Sequence, residues 1–264
     1  MRIAAVGKGG SGKTTVVGTL ARILAEDGIE VLAIDGDPNP NLALVLGISR
    51  DQAERIENIP SSVMAVKEQP DGTRQLYMTM SEDELVDRYG TSAPDNIDLI
   101  IMGKPPDGSA GSGCMCASHR AVRGLISEMG GYKEHTVTDM EAGLEHLKRG
   151  TARNVDTMLI IAEPYYRSLE AAARTWSLAN ELAIPHVYVV ANKVRNPADQ
   201  AAIEEFCAQH DMPIIGIVPS EEQFMEAERH AVAPIDFAPG CAGTAAIRDL
   251  ARNLRGLKVP TAAA

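Results

Sequence analysis

Residues 2–15 read Arg-Ile-Ala-Ala-Val-Gly-Lys-Gly-Gly-Ser-Gly-Lys-Thr-Thr, and this order decides the fold. The apolar run before Gly7 suits a buried strand, and residues 13–27 carry apolar side chains at helical spacing. Between them Gly7, Gly12, Lys13 and Thr14 complete the pattern G-x-x-x-x-G-K-[ST], which cradles phosphate when it joins a strand to a helix. The glycines let backbone N–H groups curl around phosphate oxygens, and the helix N-terminus adds its dipole. Lys13 can reach the outer phosphates and the Thr14 hydroxyl can ligate Mg²⁺. The candidate nucleotide-binding residues are therefore Gly9, Gly10, Ser11, Gly12, Lys13, Thr14 and Thr15. Lys8, within the variable part of the loop, is poorly placed to reach phosphates held by its own loop.

Outward from this stretch the chain keeps one rhythm. Short apolar runs recur at 2–7, 31–35, 99–103, 157–162, 187–191 and 214–218. Several are continuous rather than alternating, as in strands buried on both faces of a parallel sheet. Helical spacing fills 13–27, 117–129, 168–182, 198–210 and 244–254. Strands alternating with helices predict an α/β fold, a single doubly wound, mostly parallel sheet flanked by helices, with residues 1–264 as one domain. One stretch departs from the rhythm. Across 62–79 two extended runs flank Gln69-Pro70-Asp71-Gly72, a turn signal that predicts a small inserted hairpin.

At 45% hydrophobic and 23% charged, the 264 residues exclude disorder, collagen and coiled coil as overall descriptions. With one Trp, six Tyr and three Phe, the core must be aliphatic. A net charge of −11 argues against a broad nucleic-acid partner, which needs a phosphate-neutralising surface. No run of 18 apolar residues predicts a membrane span. The glycine loop interrupts the start before a secretory apolar stretch is complete, so a cytoplasmic location is expected. Four cysteines are too few for a disulfide framework.

Chemistry-bearing residues gather at the ends of the predicted strands. Residues 31–37 read Val-Leu-Ala-Ile-Asp-Gly-Asp; acids at the carboxyl end of such a strand face the ligand crevice and can serve Mg²⁺ or orient water. Asp139 closes another, less apolar run at 135–138. Asn192-Lys193 ends a third. Where guanine is read, such a pair continues x-Asp, and here that position is Arg195, so the guanine reader is missing. Cys114-Met115-Cys116 lies on a glycine-rich loop where two thiolates could chelate a soft or borderline cation. One pair leaves a tetrahedral ion half coordinated, and a second protomer could complete four thiolates. Buried, inert thiols fit the same spacing.

With Lys8 in the loop, the segment resembles the deviant Walker A motif K-G-G-x-G-K-T of the MinD and nitrogenase-iron-protein group of ATPases. The resemblance implies that Lys8 reaches a partner protomer's nucleotide, so that ATP joins a homodimer. It implies that Asp37 of a D-x-D-P switch positions the attacking water, that Asp139 is the acid holding Mg²⁺ through water, and that Asn192 meets adenine. Together with the C-x-C pair, the run Asp139, Glu141, Ala142, Gly143, Glu145, His146, Arg149, Gly150 resembles CooC-type maturation ATPases over about residues 1–220. This implies an ATP hydrolase, slow until it dimerises, with Lys8, Lys13, Asp37 and Asp139 as its catalytic set. It also implies Ni²⁺ or Zn²⁺ shared between protomers by Cys114 and Cys116, and a client nickel enzyme such as carbon monoxide dehydrogenase. The competing expectations are a ParA/MinD-like positioning switch without metal and an iron–sulfur-dependent reductase ATPase.

Overall fold

The computed structural model describes residues 1–68, 74–102, 116–142, 147 and 154–257, with backbone only at 74 and 116–120. Its strands are β1 (Arg2–Gly7), β2 (Val31–Asp35), β3 (Met64–Glu68), β4 (Arg74–Met78), β5 (Thr91–Ala93), β6 (Ile97–Ile101), β7 (His135–Asp139), β8 (Thr157–Ala162), β9 (His186–Val194) and β10 (Ile214–Pro219). The helices of eight residues or more are α1 (Lys13–Glu26), α2 (Glu82–Tyr89), α3 (Cys116–Glu128), α4 (Tyr166–Glu181), α5 (Pro197–Gln209), α6 (Glu222–Arg229) and α7 (Ala242–Arg255).

Eight strands form one sheet in the order β10-β9-β8-β1-β7-β2-β6-β5. All neighbours are parallel except β5, which runs antiparallel to β6 at one edge. The continuous apolar runs are explained by burial on both faces. Along β1, Ala4 and Val6 join the core beneath Leu125 and Ile126 of α3, Leu169 of α4 and Ile203 of α5. Ile3 and Ala5 point the other way, into the core shared with Val17, Leu20 and Leu24 of α1 and Ile247, Leu250 and Leu254 of α7. This two-sided packing is the doubly wound architecture expected from the sequence.

The inserted hairpin is present: β3 and β4 pair antiparallel, with Val66 opposite Leu76. Its turn, 69–72, lies outside the described residues. Arg22 of α1 is 4% exposed and donates to Asp95 at 2.6 Å, to Asp236 at 2.8 Å and to the Leu46 carbonyl at 2.9 Å. One guanidinium thereby ties α1 to the turn before β6, to the short Leu42–Val45 helix and to the Pro234–Phe237 turn. Among the described residues no helix is long and apolar enough to cross a membrane.

Candidate nucleotide site

The loop between β1 and α1 is shaped for an anion. Gly12 caps α1 in the left-handed conformation, φ 88°, with no side chain bonded to the helix end. The first intrahelical bond runs from the Val16 N–H to the Gly12 carbonyl at 3.0 Å, which leaves the N–H groups of Lys13, Thr14 and Thr15 for a ligand. A Cβ at Gly12 would stand 2.4 Å from Asn192 Nδ2, so both conformation and space require glycine there. Ser11 is fully buried, and its hydroxyl has no partner among the described residues. Lys13 is 6% exposed, whereas Lys8, Gly9 and Gly10 are exposed.

Two acids meet this loop from adjacent strands. Asp35 at the end of β2 and Asp139 at the end of β7 are register partners, both buried. Thr14 Oγ1 donates to Asp139 Oδ2 at 2.5 Å, and Asp139 Oδ1 is buried without a partner among the described residues. Burial, then the neighbouring Asp35 charge, pushes the Asp139 carboxyl up to about 7, against the Thr14 hydrogen bond and the Lys13 charge. Burial likewise pushes Asp35 up to about 6, against the lowering effect of backbone N–H bonds. A hydroxyl beside an orphaned carboxylate oxygen is a hard-oxygen donor set that fits Mg²⁺, which would neutralise the buried charge and polarise phosphate oxygens.

Asp35 and Asp37 make different contacts at the end of β2. The Asp35 carboxylate accepts the Leu42 N–H at 2.9 Å and the Asp37 N–H at 3.1 Å, closing the loop between them. Asp37 is half-buried and accepts the Asn39 N–H at 2.9 Å. Main-chain bonds continue beyond the strand ends: Gly36 N–H to the Asp139 carbonyl at 2.9 Å, Met102 N–H to the Asp35 carbonyl at 2.9 Å, and Met140 N–H to the Ala5 carbonyl at 3.1 Å.

On the other side of the loop, Asn192 Nδ2 donates to the Ser11 carbonyl at 2.7 Å. Its amide oxygen is left to accept from a base, as adenine's exocyclic amine would offer. Arg195 pairs with Asp199 at 2.8 Å and lies 5.6 Å from the Tyr165 ring centre, so no carboxylate replaces the missing guanine reader at that position.

The family model for the CobQ/CobB/MinD/ParA nucleotide-binding domain matches residues 3–235 of this chain. The chain is 34% identical over 246 residues to the carbon monoxide dehydrogenase accessory protein CooC of Rhodospirillum rubrum, covering 91% of this chain and 92% of that protein. It is a CooC-type ATPase of the MinD/ParA family. An ATP-binding protein of Methanocaldococcus jannaschii is 35% identical over 234 residues, covering 86% of this chain and 88% of that protein. The cell division protein MinD of Aquifex aeolicus has the same fold, with a TM-score of 0.72 at 21% identity and 98% of each chain covered.

In this CooC-type ATPase the structure gathers Lys13, Thr14, Asp139, Asp35 and Asp37 at one end of the sheet, with Asn192 against the loop. Lys8 has no ion-pair partner among the described residues. Cys114 lies outside the described residues, as do Gly143, Glu145, His146, Arg149 and Gly150; Cys116 opens α3, with only its backbone described. No group of three metal-ligating side chains occurs among the described residues. Cys207 is buried with its thiol pushed up to about 11 by burial, as an inert core residue would be. Cys241 caps α7: it is buried and its sulfur accepts the Thr244 N–H.

The reading of the residues alone drew no distinction between Asp35 and Asp37 and left two further residues without a role. It expected the acids of residues 31–37 to serve metal and water alike, whereas Asp35 spends its oxygens on backbone N–H groups. It also gave no role to Lys193 and Glu163, although the Asn-Lys pair at a strand end was the available signal.

Proposed function

We propose that this ATPase is a metal-delivery protein that dimerises with nucleotide and assists nickel insertion into a carbon monoxide dehydrogenase or a related nickel enzyme. The observation that carries this reading is the near-full-length likeness to the accessory protein CooC in a chain that also holds Cys114-Met115-Cys116. In this reading ATP and Mg²⁺ occupy the loop, with Lys13, Thr14 and Asp139 around them and Asp37 orienting the attacking water. Lys8 of each protomer completes the partner's site. Ni²⁺ or Zn²⁺ is held as cargo by the two cysteine pairs of a homodimer, and the nucleotide state sets how firmly it is held. A cytoplasmic location and the absence of nucleic-acid and membrane partners belong to the same reading.

The test is metal content and mass in solution, with ADP, with a non-hydrolysable ATP analogue and with neither, for the parent chain and the Cys114→Ser/Cys116→Ser variant. About half an equivalent of zinc or nickel per chain, in a dimer and lost with the thiols, is the expected result, because four thiolates close one tetrahedral site. Metal-free protein that dimerises with ATP whatever stands at 114 and 116 would favour the positioning switch. The likeness to MinD of Bacillus subtilis, 24% over 260 residues, keeps that second reading in view.

A further inference from the structure

Consecutive carbonyls of the phosphate loop are held from behind by consecutive residues of β9. Asn192 Nδ2 donates to the Ser11 carbonyl, and Lys193 Nζ donates to the Gly10 carbonyl at 2.5 Å. Lys193 is itself anchored by Glu163, which follows β8, at 3.0 Å. Glu163 is held in turn by the Ser168 hydroxyl, which accepts its backbone N–H at 3.0 Å. Lys193 adopts φ 58°, a left-handed conformation uncommon for a residue with a Cβ and one that persists only where surroundings enforce it.

Peptide planarity gives these contacts a direction. In a trans peptide the carbonyl of one residue and the N–H of the next point opposite ways. Fixing the Gly10 and Ser11 carbonyls toward β9 therefore turns the following N–H groups away from it. The Ser11 N–H closes the loop on the Lys8 carbonyl at 3.1 Å, and the Gly12 N–H joins the free donors at the start of α1.

We propose that Lys193, held by Glu163, is a positioning residue for nucleotide phosphate, setting the donor geometry of the Gly10–Gly12 backbone from behind without touching the ligand. The proposal depends on the nucleotide loop and not on metal delivery. It assigns the second residue of the Asn-Lys pair a task separate from reading the base. It also makes the Ala162–Glu163 junction part of the nucleotide site.

The test compares Lys193→Ala, Lys193→Arg and Glu163→Gln in the full chain, measuring Mg-ADP affinity by calorimetry, KM and kcat for ATP, and nucleotide-free unfolding. Lys193→Ala is expected to weaken Mg-ADP binding about tenfold, the scale of one charge-assisted hydrogen bond, and to raise KM more than it lowers kcat. Lys193→Arg, which keeps a cation for the carbonyl, should recover most of the affinity, and Glu163→Gln should lose less than Lys193→Ala. A folded Lys193→Ala chain with unchanged ADP affinity would overturn the proposal. So would an equal loss in Lys193→Arg, because the cation would then be irrelevant. If Lys193→Ala fails to fold, Glu163→Gln carries the test, and unchanged ADP affinity in that variant would overturn the proposal.

Discussion

Asp139 is held between two demands. The site needs a carboxylate beside Thr14, yet the fold buries that carboxylate next to Asp35. Its folded value of about 7 lies above the ordinary 3.8, so between those pH values the native state keeps a proton that the unfolded chain has released. Stability from this group is full below the lower value and falls as pH rises through the upper one. Asp139→Asn is therefore expected to raise the unfolding midpoint of nucleotide-free protein at pH 8 and to flatten its decline between pH 5 and pH 8, while ATP hydrolysis is lost. Scanning calorimetry across that range checks this, and an unchanged midpoint at pH 8 would deny the burial cost. Asp37, half-buried and not locked into the sheet, should behave differently. Asp37→Asn is expected to lower turnover by about a hundredfold or more while Mg-ADP still binds, read by steady-state kinetics beside calorimetry. The residues of residues 7–15 were legible in the sequence because they are contiguous and their chemistry tolerates few alternatives. Lys193 was not, because Gly10, Glu163 and Lys193 meet only when three strands are laid side by side.

Among the elements, the nucleotide helix shows how closely packing constrains sequence. A Cβ at Gly18 of α1 would lie 2.6 Å from Val45 Cγ1 and 3.1 Å from Leu42 Cδ1, so the short Leu42–Val45 helix rests directly on α1. Gly18→Ala is expected to cost about 1–3 kcal/mol by overpacking, despite alanine's better helix propensity, and to lower the unfolding midpoint by several degrees. A gain in stability would mean that the Val45 side chain swings aside freely. The six runs read as strands all became sheet strands, since burial on both faces leaves an unmistakable apolar record. β7, read separately from those six, had the weaker apolar record: Thr136 and Thr138 are polar, yet both are buried at 1% in a central strand, where their β-branched shape suits the pleat. Among the missed elements were α2 and α6, each eight residues long, the three-residue edge strand β5 and the four-residue helices at Leu42–Val45, Arg50–Ala53 and Pro234–Phe237, all too short to show a period. α2 did carry one local sign. Ser81 and Glu84 form a reciprocal capping box, and Ser81→Ala is expected to destabilise by about 1 kcal/mol in chemical denaturation.

For the molecule as a whole, Arg22 matters more than any surface ion pair. It joins segments 214 residues apart in sequence and is almost inaccessible, while Asp236 keeps 44% of its side chain exposed. Replacing it with methionine would keep the bulk and strand two acids. Arg22→Met is expected to cost about 2–3 kcal/mol, below the range for a fully buried pair because its partners can turn to water. An unfolding titration showing no loss would mean that burying the guanidinium already costs as much as its bonds return. The architecture was legible from strand–helix alternation alone. This clamp was not, because a single arginine in a helix carries no record of distant partners.

The strand-end bonds from Gly36 to Asp139, Met102 to Asp35 and Met140 to Ala5 have a further consequence for how such a protein can diverge. Each is made by peptide groups that nineteen of the twenty amino acids supply, so the segments around the nucleotide stay stitched together through wholesale replacement of side chains. Selection can retune what each segment senses while the stitching is inherited intact. Only proline, which lacks the N–H, can cut a thread.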